Sequence, residues 1–238
     1  MDITGSVALV TGANRGLGRR FAQALLERGA AKVYAAARNP ESIDIPGVVA
    51  LQLDITDPAS VAAAAAAAGD VTLLVNNAGS STRATLLDDE LAGVRLEMDT
   101  HYFGTLSVTR AFAPILARNG GGAILNVLSV LSWFSSPANG AYAAAKSAEW
   151  SLTNTLRQQL APAGTLVTSL HVGYMETDMA AHVDGPKSDP AAVANLALDG
   201  VEAGEFEVVA DQVSRTVKAS LSGPVSGTYP ALAPVATH

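Results

Sequence analysis

The stretch VALVTGANRGLG, residues 7–18, decides the fold of this chain. Its first four residues form a continuous apolar run, which is typical of a strand buried on both faces of a parallel sheet. The glycines that follow permit a tight turn into a helix and let backbone N–H groups approach a pyrophosphate at the positive end of that helix. A glycine-rich turn alone is a weak signal, but this one lies between a predicted strand and a predicted helix.

Strands and helices continue to alternate beyond this turn. Apolar runs predict strands at residues 32–37, 48–53, 71–75, 123–128, 166–172 and 206–209. Helical periodicity and alanine runs predict helices at residues 16–28, 57–68, 91–118, 141–160 and 190–202. The pattern predicts the α/β class: a single-domain, Rossmann-type, doubly wound parallel sheet of about seven strands with helices on both faces. Residues 1–238 are predicted to be one domain, with residues 223–238 as a docked or disordered tail.

Composition narrows the function further. The chain has 238 residues, of which 49% are hydrophobic, and its formal net charge of −7 argues against a nucleic-acid-binding protein. No cysteine is present, which excludes disulfides, thiolate metal sites and a cysteine nucleophile, and no metal is predicted. No secretory pattern begins the sequence and no apolar run is long enough to span a membrane, so we expect a cytoplasmic protein with no membrane partner.

The end of the second predicted strand bears on the choice of cofactor. In a dinucleotide-binding fold an acidic residue here favours a free ribose 2′-hydroxyl, whereas an arginine accommodates a 2′-phosphate. The sequence has three alanines and then Arg38, and Arg15 in the glycine-rich turn offers a second cation. We therefore expect NADP(H), with NAD(H) as the alternative, unless both arginines are simply solvated at the surface. Asp54, after the third strand, is expected either to accept a hydrogen bond from adenine or to cap the next helix.

A second group of residues suggests acid/base chemistry. Tyr142 and Lys146 are four residues apart in a predicted helix and therefore point the same way. A phenol has a pKa near 10, and a nearby ammonium lowers that pKa by favouring the phenolate. Ser129, which follows a predicted strand, is placed to hydrogen-bond a substrate oxygen.

Taken in order and with their spacing, these motifs resemble the classical short-chain dehydrogenase/reductase (SDR) family from about residue 5 to about residue 210. The resemblance implies that Tyr142 exchanges a proton with the substrate oxygen, that Ser129 orients this oxygen, and that Lys146 holds the nicotinamide ribose and tunes Tyr142. It also implies a cofactor site that includes the segment after the sixth strand, where Val172 replaces the proline usual in the family. The cofactor-binding residues expected are Gly12, Asn14, Arg15, Gly16, Leu17, Gly18, Arg38, Asp54, Ile55, Asn77, Ala78, Gly79, Tyr142, Lys146, Gly173, Met175 and Thr177.

The sequence departs from the family pattern at His101. Family members usually have an asparagine here, which anchors a water in a proton relay from the position of Lys146. An imidazole also accepts and donates protons, but its charged form would repel Lys146. His101 is therefore a fourth candidate catalytic residue, and the alternative that it only packs against its neighbours stays open.

The resemblance implies a small-molecule carbonyl or alcohol substrate and a homodimer or homotetramer formed through the helices at residues 91–118 and 141–160. Apolar side chains near the site suggest bulky or aryl substrates, unless Trp133 and Phe134 cover the core or an interface. These side chains are Val130, Leu131, Trp133, Phe134, Tyr174, Met175 and Met179. The rival functions are an NAD-dependent alcohol dehydrogenase of the same family and a non-catalytic nucleotide-sensing protein.

Overall fold

A computed structural model describes residues 1–87 and 89–229 of the chain. It contains a seven-stranded parallel sheet with the strand order β3-β2-β1-β4-β5-β6-β7, which confirms the predicted Rossmann-type architecture. The strands are β1 (Val7–Thr11), β2 (Lys32–Ala37), β3 (Val49–Gln52), β4 (Leu73–Asn76), β5 (Gly122–Val127), β6 (Thr165–His171) and β7 (Glu207–Val209).

Helices connect successive strands and cover both faces of the sheet. They are α1 (Gly16–Glu27), α2 (Pro58–Ala67), α3 (Leu91–Met98), α4 (Thr105–Arg118), α5 (Gly140–Leu160), α6 (Pro190–Ala203), α7 (Gln212–Ser220) and the short α8 (Val225–Thr228). Among the described residues, no helix is both long and apolar enough to cross a membrane.

The single helix predicted at residues 91–118 is wrong in one respect. Residues Asp99–Gly104 form a π-helical segment between α3 and α4. A π segment places an extra residue in a helical turn, and such segments are frequent at functional sites. Here the segment buries Thr100, His101 and Gly104 against the site. The helical spacing of apolar residues continues across the π-helical segment, so the sequence predicted one continuous helix.

The two faces of the sheet have separate hydrophobic cores, because successive side chains of a strand point to opposite faces. Ala8 and Val10 pack with α1 and α6, whereas Leu9 packs with α2 and α4. Phe21 on one face and Phe112 on the other are fully buried, as expected of large apolar side chains beneath a parallel sheet.

The order of the strands determines where the candidate site lies. β1 lies between β2 and β4, so the connections from β1 and β4 run to opposite sides, and a crevice opens at the carboxyl ends of these strands. The polar segments that follow β1, β2, β4, β5 and β6 all meet at this edge. Of the predicted tail, residues up to Tyr229 dock, with Tyr229 stacked on Phe134 at 5.2 Å. Residues 230–238 lie outside the described residues.

Candidate active site

The glycine-rich turn after β1 depends on the absence of side chains. Gly12 has a φ of +65°, and a Cβ atom there would lie 2.9 Å from Ala78 Cα. A Cβ atom at Gly18 would overlap the carbonyl oxygen of Gly12 and the side-chain amide of Asn77. Glycine is therefore required here by backbone geometry and by close packing against the segment after β4.

Side chains also hold these two segments together. The hydroxyl of Thr11 accepts hydrogen bonds from the N–H groups of Asn77 and Ala78, each at 2.9 Å. The side-chain amide of Asn77 donates to the carbonyl oxygen of Thr11 at 2.8 Å. The sequence-based interpretation assigned Asn77 and Ala78 to the cofactor site and included Thr11 in the glycine-rich stretch, but it gave no role to the hydroxyl of Thr11, which joins β1 to the segment after β4.

The N-terminus of α1 fits the phosphates of a dinucleotide. Arg15 is the N-cap residue, and no side chain caps the first turn of this helix. Its free N–H groups and the helix dipole therefore suit an anion. Leu17 is buried beneath the turn, Asn14 is partly buried, and Arg15 is exposed, 4.0 Å from Asp178.

Arg38 and Asp54 lie beside a groove of about 580 Å³. Arg38 directly follows β2 and is exposed, as a contact to a 2′-phosphate requires. A hydrogen bond from Thr56 and the charge of Arg38 lower the pKa of Asp54 despite its partial burial. Asp57, and not Asp54, caps α2 by accepting from Ala59 N–H at 3.0 Å, which leaves Asp54 facing the groove. Ile55 next to it is buried.

The segment after β6 reaches back to the glycine-rich turn. Gly173 N–H donates to the carboxylate of Asp211 at 2.5 Å, a contact that the sequence did not reveal. Thr177 lies beside Gly16, with its Cγ2 atom 3.6 Å from where a Cβ of Gly16 would be. Met175, which lies between Gly173 and Thr177 in the chain, is partly buried. Val172, in place of a proline, is buried and accepts a hydrogen bond from Val130 N–H at 3.0 Å.

The structure brings Ser129, Tyr142 and Lys146 together. Ser129 follows β5, and its hydroxyl caps a 3₁₀ turn by accepting from Leu131 N–H at 3.1 Å. Tyr142 and Lys146 share one face of α5, with Lys146 Nζ 5.9 Å from the centre of the tyrosine ring. Lys146 is buried and donates to the carbonyl oxygen of Val127 at 2.8 Å.

The electrostatics of Tyr142 differ from the sequence-based expectation. Burial raises the pKa of Tyr142, and the nearby carboxylate of Glu149 raises it further. The ammonium of Lys146 and a hydrogen bond with Ser129 lower it, as expected, but the net direction in the protein is upward. The expectation considered Lys146 alone, whereas Lys146 donates to Glu149 Oε2 at 2.6 Å and its charge is largely balanced there.

His101 is buried in the π-helical segment next to Tyr142. Its ring lies edge-on to the tyrosine ring, with 5.1 Å between the centres. Its Nε2 atom is 2.9 Å from the carbonyl oxygen of Ser80 and 3.2 Å from Glu97 Oε2. A Cβ atom at Gly79 would lie 2.8 Å from the imidazole, so a glycine at position 79 makes room for the ring.

Two buried glutamates near His101 were missed from the sequence. Burial raises the pKa of Glu97, but hydrogen bonds from His101 and from Thr82 N–H outweigh burial and lower the pKa to about 2. Glu149 lies between Lys146 and the other ring nitrogen of His101. The signals were their spacings, since Glu97 precedes His101 by four residues and Glu149 follows Lys146 by three, which places each pair on one helix face.

For Trp133 the structure decides between the two alternatives that the sequence left open. Trp133 is buried and stacks on His171, with ring centres 3.7 Å apart, so Trp133 belongs to the core. Phe134 packs against Tyr229. Tyr174 and Met179 after β6 are exposed and remain available to a substrate.

The fold and the glycine-rich turn define the class: a Rossmann-type dinucleotide-binding domain. The sequence model of the family described as short chain dehydrogenase matches residues 6–187. The chain is 31% identical over 215 residues to "Dehydrogenase/reductase SDR family member 7B" of Xenopus tropicalis, which covers 82% of this chain and 69% of that relative. The chain therefore belongs to the short-chain dehydrogenase family of oxidoreductases.

Solved structures agree with this assignment. A short chain dehydrogenase from Burkholderia cenocepacia in complex with NADP is 39% identical, with a TM-score of 0.93 and coverage of 99% of this chain and 100% of that one. A short chain dehydrogenase/reductase from Burkholderia phymatum in complex with NAD is 25% identical, with a TM-score of 0.83 and coverage of 100% and 99%. These relatives support a nicotinamide dinucleotide as the cofactor.

Proposed function

We propose that the chain is a cytoplasmic NADP(H)-dependent oxidoreductase that interconverts ketones or aldehydes with the corresponding alcohols. The observation that carries this proposal is the meeting of two sets of residues at one edge of the sheet. Gly79 follows Ala78, which packs closely against Gly12 of the glycine-rich turn, and the ring of His101 lies where a side chain of Gly79 would be. That ring is edge-on to the ring of Tyr142. The acid/base candidates therefore lie next to the predicted dinucleotide site.

Each residue at this site has a role that follows from its contacts. When bound, the nicotinamide supplies or accepts the hydride. Tyr142 gives its proton to the substrate oxygen during reduction, and its raised pKa keeps the phenol protonated for this step. Ser129 donates a hydrogen bond that orients the same oxygen. Lys146 is held by Val127 and Glu149 with its ammonium toward the tyrosine ring.

The preference for NADP(H) rests on Arg38. Three buried alanines precede it in β2, so no carboxylate is present there to repel a 2′-phosphate. Arg38 is exposed at the edge of the groove and free to make a charge-assisted contact. The NADP-bound relative from Burkholderia cenocepacia is consistent with this preference.

His101 is proposed to take part in proton transfer to the Lys146/Tyr142 pair. The sequence suggested that a charged imidazole would repel Lys146, but the carboxylate of Glu149 lies between them. A protonated His101 is therefore compatible with a protonated Lys146.

The substrate is proposed to be a small carbonyl compound or alcohol with an apolar substituent, because Tyr174 and Met179 are exposed near the site.

We also propose a homodimer or homotetramer formed through α3, α4 and α5, because Leu96 in α3 and Phe103 in the π-helical segment are about half exposed. Light scattering of the purified protein tests the assembly.

A panel of ketones and secondary alcohols, assayed with NADPH, NADP⁺, NADH and NAD⁺, tests the proposed reaction. We expect turnover with the phosphorylated cofactors. Tyr142→Phe is the matched control, because it keeps the ring and removes the transferable proton, and it should bind NADPH while losing about two to four decades of turnover. Turnover that survives in Tyr142→Phe would contradict the role of this residue.

A further inference from the structure

Lys146 is held by a buried carboxylate that the proposed reaction does not by itself require. Glu149 is 2% exposed, and its Oε2 atom accepts from Lys146 Nζ at 2.6 Å. Its other oxygen accepts from the hydroxyl of Thr105 at 3.0 Å. Taking both charges of such a pair out of water is costly, so a buried ion pair is weak evidence for stability and calls for another explanation.

Glu149 is on the same face of α5 as the two residues that it serves. Tyr142, Lys146 and Glu149 follow at intervals of four and three residues, so all three point toward the π-helical segment. Burial lowers the pKa of Lys146, but Glu149 and the other nearby acidic groups raise it above its ordinary value. Lys146 is therefore an ammonium ion whose charge is balanced by Glu149.

His101 approaches the same carboxylate oxygen from the other side. Its Nε2 atom faces the carbonyl oxygen of Ser80, which only accepts, so Nε2 must hold a hydrogen. Its Nδ1 atom has no hydrogen-bond partner among the described residues and lies 3.9 Å from Glu149 Oε2. With Glu97, Glu149 and Lys146 charged, a neutral imidazole leaves the cluster with a net charge of −1. A proton on Nδ1 would bring this charge to zero and would face a carboxylate.

We propose that Glu149 is a positioning residue, which balances the charge of Lys146 so that Tyr142 stays a proton donor and which connects His101 to Lys146. The proposal rests on the proposed function and adds the favoured direction of the reaction. An ammonium without a counter-charge would favour the phenolate, which serves alcohol oxidation. With Glu149 in place, the site favours the phenol, which serves carbonyl reduction.

The proton balance of a reduction follows from these contacts. Tyr142 gives its phenolic proton to the substrate oxygen as the carbonyl carbon accepts the hydride. The phenolate then takes a proton from Lys146, which donates to Glu149 at 2.6 Å. Lys146 regains one proton from solvent along the side of the cluster that contains Glu149 and His101, so each carbonyl reduced consumes one proton.

Glu149→Gln tests the proposal, because glutamine keeps the shape and removes the charge. The groups that face Tyr142 are Ser129, Lys146, Glu149, Glu97 and His101, and only the charge of Glu149 changes. We expect the phenolate of Tyr142 to form at lower pH than in the wild type. Near-ultraviolet absorbance of the protein without cofactor measures this, after subtraction of the same titration with Tyr142→Phe added in each background.

Kinetics provide a second readout. In Glu149→Gln the pH range in which alcohol oxidation rises should move down, in step with the phenolate titration. Turnover in carbonyl reduction at neutral pH should fall roughly 10- to 100-fold, within the range of proton-transfer catalysis, while the NADPH dissociation constant stays near that of the wild type. Glu97→Gln is the graded control, because Glu97 raises the pKa of Tyr142 less than Glu149 does, and its titration should move less.

An unshifted phenolate titration in a folded Glu149→Gln protein would overturn the proposal and leave Glu149 as a structural ion pair. If this variant does not fold, Glu149→Asp replaces it. The shorter carboxylate draws back from Lys146 and Tyr142, so the titration should again move to lower pH, and an unshifted Asp variant also overturns the proposal. The titration needs no turnover, so its outcome is independent of whether the wild type reduces any carbonyl compound in the panel.

Discussion

Because His171 is buried and neutral, we expect the protein to lose stability in mild acid. This residue ends β6, is fully buried, and stacks on Trp133 with the ring planes 13° apart. Burial lowers the pKa of His171 to about 3, and the charges of Lys218, Lys146 and Arg157 act in the same direction. A hydrogen bond from Nδ1 to the carbonyl oxygen of Ser129 opposes the shift but does not outweigh burial.

The sign of the effect follows from this direction. The ordinary pKa of histidine is 6.5, so the unfolded chain binds a proton below that pH while the folded protein keeps His171 neutral. Stability therefore decreases as the pH falls below 6.5 and continues to do so down to about 3. Between about pH 7 and about pH 5 the loss from this one residue is about 2 kcal/mol in the free energy of unfolding.

Urea unfolding followed by tryptophan fluorescence at several pH values measures the effect. His171→Phe keeps a flat ring against Trp133 but cannot titrate, so its free energy of unfolding should change by about 2 kcal/mol less than that of the wild type over this range. His182 is exposed, and His182→Gln should retain the full pH dependence. If His171→Phe and the wild type lose stability in parallel, the burial argument for His171 is refuted.

Three further predictions concern the site. Arg38→Asp should weaken NADPH binding by roughly one to two decades and shift the preference toward NADH. Arg215→Asp makes the same charge change at an exposed position of α7 and should not do so, and an unchanged NADPH dissociation constant in Arg38→Asp would make Arg38 a surface arginine. His101→Leu should bind cofactor but lose turnover while His101→Asn retains it, and a fully active Leu variant would show that His101 only packs. The lowered pKa of Glu97 gives the wild type about 3 kcal/mol of stability above pH 4.5, and this contribution is lost as the pH falls toward 2. Glu97→Gln should lack this contribution, and acid unfolding of both proteins measures the difference.

The strands, and the order of the cofactor-binding and acid/base motifs along the chain, could be predicted from the sequence because both depend on local patterns. Buried parallel strands are continuous apolar runs, and a glycine-rich turn has few other uses between a strand and a helix. The spacing of Tyr142 and Lys146 predicted that they share one helix face, as the structure shows, and the family resemblance gave them their roles.

The rest depends on packing between distant segments. Glu97 and Glu149 are 52 positions apart and meet only because α3, α5 and the π-helical segment pack together around His101. For the same reason the pKa of Tyr142 could not be predicted from Lys146 alone, since the balancing charge of Glu149 is a tertiary feature. For Trp133 the sequence left both a substrate contact and a core position open, and only its stacking on His171 places it in the core.

The strand order has a consequence for how the chain is made. The four strands β3-β2-β1-β4 are all synthesised by residue Asn76, and their pairings need no later residue. After that, β5, β6 and β7 join the open edge one at a time in the order of translation. A nascent chain can therefore extend its sheet in one direction as it leaves the ribosome, without inserting a late strand between two early ones. The glycine-rich turn and its partner segment emerge before the ribosome has reached Ser129, Tyr142 and Lys146.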